Sequence, residues 1–293
     1  MNPGPSVAGA PISWGVIEIP DWGYQMPADR VLREAASLGL GAVEAGPEGL
    51  LPPDPSEVSE LLAGYGLGLV GGFVPAVLHE PARREEELAL VGRRAEFFAK
   101  AGADVVVLAA MSGSDDFGPF VELDDGSWRE LFESLKSVEE ICAGHGIAVS
   151  LHHHYGTAIE GDDQLKRFLD GSEMGLCLDT GHLAIGGSDP VEIAELAGPR
   201  VNHVHLKDVD LDIAGRLAAR ELSFREAARK NAFRPLGEGD VDVGGVLDRL
   251  EGSGYSGWYV LEQDSVVEAE PPEGEGPVEE VGKSFAYLRE LLE

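Results

Sequence analysis

Short apolar, β-branched runs alternate along the chain with longer stretches in which apolar residues recur at helical spacing. The short runs predict strands at Val7–Trp14, Ala42–Gly46, Gly68–Pro75, Val105–Ala110, Ala148–His154, Gly175–Asp179, Val201–Lys207 and Trp258–Gln263. They are bare apolar runs rather than alternating ones, the pattern of parallel strands covered on both faces. Between them, Ala28–Leu38, Arg83–Lys100, Trp128–Ala143 and Pro190–Ala197 carry the helical period. Gly39, Gly66, Gly102, Gly146 and Gly254 stand just past helix ends, where a C-cap favours glycine. Eight strands interleaved with helices predict the α/β class and a (β/α)8 TIM barrel, with residues 1–293 as one domain. A doubly wound open sheet is the competing architecture. Neither a GxGxxG opening a helix after the first strand nor a GxxxxGK followed by Ser or Thr occurs, so nucleotide-binding folds lack their signature.

Two segments break the rhythm. Ser112–Ser127 is a Gly/Asp-rich loop, and Asp208–Val243 is a long connection with a helical piece at Ser223–Asn231. Long loops after barrel strands sit on the catalytic face. The acidic, Pro-rich stretch Val266–Pro277 reads as a solvated segment before a last helix, Val278–Leu292.

Composition narrows the partners. The 293 residues are 43% hydrophobic and 26% charged, which excludes a disordered chain. Lys plus Arg is 22 and Asp plus Glu is 53, a net charge of −31. A field of that sign repels polyanions, so nucleic acid and anionic membrane are poor partners, and it fits a soluble protein or a saline habitat. No apolar stretch approaches the roughly 20 residues of a membrane span. Met1–Ser6 lacks the basic residues of a signal peptide. Cys142 and Cys177 read as two reduced, buried thiols, so the expected location is the cytoplasm. The subunit number is not fixed by the sequence, and a homo-oligomer is allowed.

The chemistry gathers at strand ends. His152, His153 and His154 end the fifth strand, His182 follows Asp179 after the sixth, His203 and His205 lie in the seventh, and Glu262 and Asp264 end the eighth. In a parallel barrel these ends converge on one mouth. Imidazoles and carboxylates together suit a divalent metal: Mn2+, Co2+, Zn2+ or Fe2+, with Mg2+ favoured if carboxylates dominate. Each residue also has a plain structural reading. Any one His is as readily a packed core residue, Asp179 is a possible N-cap, and Glu262 and Asp264 are possible polar strand ends. The conjunction at four strand ends favours the metal. Lys207, between His205 and Asp208, is read as a pocket residue, with a solvated surface lysine as the alternative. Trp14, Glu44, His203 and Glu160 are candidates to bind substrate. The alternatives are a core Trp, a surface-loop carboxylate for Glu44, a structural imidazole and a helix-start carboxylate. Gly71-Gly72 permits a close backbone approach or a bulge. His79 and His145 read as ordinary packing or surface residues. No GxSxG elbow is present and neither Cys has a His partner in sequence, which disfavours covalent acyl chemistry.

At these residues the chain resembles the sugar isomerase/epimerase superfamily of TIM barrels, related to xylose isomerase and endonuclease IV, and within it the inosose dehydratase branch. The resemblance rests on His152-His-His-Tyr-Gly-Thr157, Leu178-Asp-Thr-Gly-His-Leu183, His203-Val-His-Leu-Lys-Asp-Val209, Leu236-Gly-Glu-Gly-Asp-Val-Asp242 and Gly254-Tyr-Ser-Gly-Trp-Tyr-Val-Leu-Glu-Gln-Asp264. The first half matches in rhythm and in Ser13-Trp14-Gly15. The resemblance implies one divalent metal, Mn2+ or Co2+ foremost, on His152, Asp179, His205 and Glu262. His152 stands where sugar epimerases carry a Glu, so a two-Glu proton exchange is disfavoured. Lys207, His154 and His182 become the implied acid, base or enolate-stabilising groups, with the imidazoles expected near their ordinary pKa of about 6.5. The implied activity is a lyase that dehydrates a cyclic polyhydroxy ketone, an inosose such as 2-keto-myo-inositol, through an enolate. The alternatives are a sugar or inosose isomerase/epimerase using the same intermediate, and a non-catalytic sugar-binding barrel. Endonuclease-type DNA chemistry is disfavoured by the −31 charge.

Overall fold

The computed structural model describes residues 6–113 and 121–293. The expected loop Ser112–Ser127 therefore lies partly outside the described residues. The barrel strands, in chain order, are Val7–Gly9, Ala42–Val43, Gly68–Leu69 continued by Gly71–Ala76, Val105–Ala110, Ala148–His152, Gly175–Asp179, Val201–Leu206 and Tyr259–Leu261. Every pairing between them is parallel. The third strand closes the ring. Gly68 and Leu69 pair with Ala42 and Val43, and after Val70 the Gly71–Ala76 half pairs with Val105–Ala110. Closure excludes the open doubly wound sheet.

Gly71 and Gly72 permit this crossing. A Cβ on Gly71 would lie 2.4 Å from the Val105 carbonyl oxygen, and one on Gly72 2.3 Å from the Phe98 ring. Backbone and helix approach too closely there for any side chain.

Several strands are shorter than their apolar runs. The first ends at Gly9 and passes into a 3-10 turn, Pro11–Trp14. Pro11 has no N–H for the ladder, and Gly15, at φ 76°, closes the turn by donating to the carbonyls of Ile12 and Pro11. The fifth ends at His152, so His153 and His154 belong to the loop above it.

Helices Ala28–Leu38, Pro55–Tyr65, Arg84–Lys100, Asp125–Gly144, Asp162–Gly171, Pro190–Ala197, Val243–Gly252 and Pro277–Leu292 cover the outside. Two cores result. One lies between helices and strands and includes Phe98, Leu131, Leu135 and Phe168, each fully buried. At roughly 1.5–3 kcal/mol per buried large apolar side chain, this layer is the main stabilising term. The other core includes Ala8, Ala42, Val107 and Val260 from the strands.

The 208–243 connection carries helices Leu211–Ala218 and Phe224–Arg229, and its start, Asp208–Val209, pairs antiparallel with Phe233–Arg234. The 266–277 segment is largely exposed, as expected, but anchored. Arg30 donates to the carbonyls of Pro271 and Pro272 (2.8 and 2.6 Å), and Tyr24 Oη to Glu270 (2.9 Å).

Candidate metal centre

Strand alternation sends His203, His205 and Lys207 to one face, and Cys177 and Asp179 likewise. At the C-terminal rim, ligand atoms of His152, Asp179, His205 and Glu262 lie within 4.8 Å of one another. His152 donates Nδ1–H to the His153 carbonyl (2.9 Å), which leaves Nε2 aimed at Asp179 Oδ2, 3.7 Å away. His205 Nδ1 lies 3.6 Å from the same oxygen and against Glu262 Oε2. Asp179 Oδ2, His205 Nδ1 and Glu262 Oε2 are buried and face one another, with Lys207 Nζ 3.6 Å from Asp179 Oδ2. Two imidazoles and two carboxylates that meet at one buried point form a donor set that fits a divalent ion, which would displace the proton His205 holds there. Asp179 also fulfils its plainer reading, since Oδ1 accepts from the N–H of His182 (2.8 Å) and caps helix Thr180–Ile185.

Behind the cluster, Glu44 Oε1 accepts from Nε2 of His203 (2.8 Å) and of His205 (3.0 Å). The second bond fixes the His205 ring with Nδ1 facing the cluster, the usual carboxylate–histidine support for a metal ligand. Glu44 also lines the mouth cavity, with Ile12, Glu18, Phe73, His154 and Asp264.

Lys207 is fully buried. Its Nζ lies 2.7 Å from Asp264 Oδ2, 3.3 Å from Glu262 Oε1, 3.6 Å from Asp179 Oδ2 and 3.1 Å from His182 Nε2. An ammonium only donates, so His182 Nε2 accepts and the ring proton sits on Nδ1. The 3.4 Å approach of the Tyr155 N–H to that Nδ1 is then not a hydrogen bond. The rings of His154 and His182 lie against each other, 3.8 Å between centroids and tilted by 40°. Phe224, from the 208–243 connection, stacks on His182 (6.1 Å, 15°) and roofs the pair.

Two features of the 178–182 motif hold Lys207. Thr180 Oγ1 accepts from its N–H (2.8 Å) and donates to its carbonyl (2.6 Å). Gly181 clears its stem, because a Cβ there would lie 2.6–2.9 Å from Lys207 Cγ, Cδ and Cβ.

Burial opposes every charge in the site, and the neighbours decide which survive. Burial and then the charge of His205 pull His152 down to about 4, and burial and His152 pull His153 to about 3. Burial, then each other's charge or that of His152, and Lys207, hold His154 and His182 well below the ordinary range. Both are therefore neutral at pH 7, and the expectation of near-ordinary imidazoles able to donate as imidazolium is corrected. His205 goes the other way: despite burial, Glu262, Glu44 and Asp179 hold it well above 6.5, beside a Cys177 thiol that burial pushes up to about 11 and so keeps neutral. Glu44, although buried, comes down to about 2 through the charge of His205 and bonds from both rings. Asp179, Glu262 and Lys207 all stay ionised against burial through their mutual contacts. Burial pushes Asp264 up to about 6, partly offset by Lys207.

Other candidates lie elsewhere. Trp14 is fully buried in the core beside Gly9 and Leu40, and its Nε1 donates to Glu34 (2.9 Å), so it does not line the mouth. Glu160 accepts from Arg220 through both oxygens (2.9 and 2.8 Å) and from the Gly156 N–H (2.8 Å), outside the mouth lining. Arg220, at φ 59°, also stacks 4.1 Å over Tyr155, so this pair fastens the 208–243 connection to the loop after the fifth strand. Asp208 accepts four backbone N–H groups, from Val209, Gly237, Gly239 and Val241, and thereby gathers the 236–242 motif around itself. Among the described residues, no helix is long and apolar enough to cross a membrane.

This fold and donor set define a class: the chain belongs to the xylose isomerase-like TIM barrel family, which it matches over residues 32–291. It is 32% identical over 266 residues to the inosose dehydratase of Geobacillus kaustophilus, covering 87% of this chain and 86% of that one. Its fold is similar to that of the IOLI protein with a bound zinc atom (TM-score 0.73, 13% identity, 98% of both chains). It is equally similar to L-ribulose 3-epimerase (TM-score 0.72, 17% identity, 98% of this chain and 94% of that one).

Proposed function

We propose that this protein is a metal-dependent lyase that removes water from a cyclic polyhydroxy ketone, an inosose of the 2-keto-myo-inositol type, in the cytoplasm. The observation that carries the reading is the Lys207–His182–His154 group packed against the four-ligand cluster, in a site with a His, not a second Glu, on the fifth strand. The similarity to inosose dehydratase supports the substrate. His152 Nε2, Asp179, His205 Nδ1 and Glu262 hold the ion, and the mixed imidazole–carboxylate set favours Mn2+ or Co2+. A bound divalent ion supplies a Lewis acid for the ketone oxygen and its neighbouring hydroxyl.

The chain's own groups do the rest. Neutral His154 accepts the α-proton. Lys207, an ammonium in a dry site, holds negative charge developing on oxygen, where low dielectric strengthens it. His154, an imidazolium once it has taken the α-proton, gives that proton to the departing hydroxyl, which leaves as water and restores the neutral ring, while His182 Nε2 accepts from Lys207 (3.1 Å) and keeps the ammonium in place. Glu44 and His203 orient His205, and Glu44 also lines the mouth that receives the substrate.

The experiment is a product assay by NMR and ultraviolet absorbance with 2-keto-myo-inositol and Mn2+- or Co2+-loaded protein. A dione with loss of one water is expected. An isomeric ketose of unchanged mass would replace the lyase with an isomerase or epimerase, and no conversion of an inosose or ketose panel would leave a sugar-binding barrel.

A further inference from the structure

Beneath the four-ligand cluster the barrel carries a donor that the proposed reaction does not use. Cys177 lies two residues before Asp179 on the same face of the sixth strand. It is paired in register with His152 on one side and His203 on the other. It is buried and free of any disulfide. Its Sγ and ring nitrogens of His152 and His205 lie within 4.8 Å of one another. His205 Nδ1 rests against Glu262 Oε2 in the upper cluster, so an ion seated beside Cys177 draws this ring away from that carboxylate.

We propose that Cys177, His152 and His205 form a second, lower seat, one that takes a thiophilic divalent ion such as Zn2+ or Cd2+. Both seats need His152 and His205, so they exclude one another. Ligand softness then sorts the ions. The carboxylate-bearing upper seat suits Mn2+, whereas a thiolate with two imidazoles draws Zn2+ and Cd2+. Seating breaks the S–H bond, forms a sulfur–metal bond and releases the proton to solvent, with no change of oxidation state. A soft ion held below the rim loses Asp179 and Glu262 as ligands and stands farther from the mouth, so it occupies the protein without serving the reaction. The inference rests on the cluster as a metal centre, not on the identity of the substrate.

The test is metal-stripped protein titrated with Cd2+. A thiolate-to-metal charge-transfer band is expected in the parent and in Cys142→Ser, whose thiol lies in helix Asp125–Gly144, and is lost in Cys177→Ser while Mn2+ binding persists. X-ray absorption on Zn2+-loaded parent needs no variant and should find one sulfur among the ligands. A band absent from the parent or surviving in Cys177→Ser, or a ligand shell of nitrogen and oxygen alone, overturns the lower seat. Failure to bind Mn2+ as well as Cd2+ would instead overturn the metal centre itself.

Discussion

His205 connects the strands of the site. Its Nε2 is engaged by Glu44 and its Nδ1 faces Asp179 and Glu262, so the ring offers one lone pair to an ion only when Nδ1 is deprotonated. In the ion-free protein the surrounding carboxylates hold its pKa well above 6.5, so a proton occupies the place of the metal. Below that raised pKa the proton competes and metal binding weakens as pH falls; above it the competition disappears. Calorimetry in two buffers of different ionisation enthalpy should show about one proton released per ion near neutral pH. No release would mean that His205 is already neutral. Lys207→Ala should keep the metal, measured by elemental analysis, and lose turnover about 10²–10⁴-fold, as for a lost charge stabiliser. Activity equal to the parent would remove Lys207 from the reaction. The gathering of His and carboxylates at one mouth was legible in the sequence because strand ends in a parallel barrel meet, whereas the choice of His152, Asp179, His205 and Glu262 among them came from the family resemblance. Glu44 as the ring acceptor was not, because its bonds to His203 and His205 span 159 and 161 residues. Nor was the neutrality of His154 and His182, since burial and nearby cations set it and neither is written in local pattern.

At the scale of elements, the turn after the sixth strand performs four tasks in three residues. Asp179 caps the helix and faces the cluster, Thr180 ties down the Lys207 backbone, and Gly181 leaves the volume its stem fills. Gly181→Ala would place a methyl within 2.6–2.9 Å of three stem carbons, not of a movable tip. Overpacking of that kind costs about 1–3 kcal/mol. The variant should melt lower by calorimetry and lose turnover together, because the relief available is to push Lys207 from its carboxylates. Unchanged melting and turnover would show that the stem moves without consequence. The motifs themselves stood out in the sequence, but not their reasons. Asp208 was visible as a neighbour of Lys207, and its four amide bonds to the 236–242 segment needed the long connection folded back. The first strand was overread because Val7–Trp14 is apolar except for Ser13, while Pro11 ends the ladder.

For the whole molecule, the net charge of −31 acts on folding and on metal capture in opposite senses. Like charges on a compact surface repel, and the unfolded chain spreads them apart, so the field lowers stability. Exposed ion pairs such as Arg33–Asp29, whose side chains are 47% and 66% exposed, offset little of this. The same field concentrates divalent cations around the mouth and speeds their arrival. Raising KCl from about 0.01 M to about 1 M shortens the screening length from roughly 30 Å to roughly 3 Å. The melting temperature of the metal-free protein should therefore rise with KCl, followed by calorimetry, while the association rate of Mn2+, followed by stopped flow, should fall. The opposed signs separate screening from a general salting effect on apolar burial, which would raise stability without slowing the ion. A melting temperature flat in KCl would show that the acidic surface is too widely spaced to strain the fold. An association rate flat in KCl would show that the ion is drawn by the buried ligands alone.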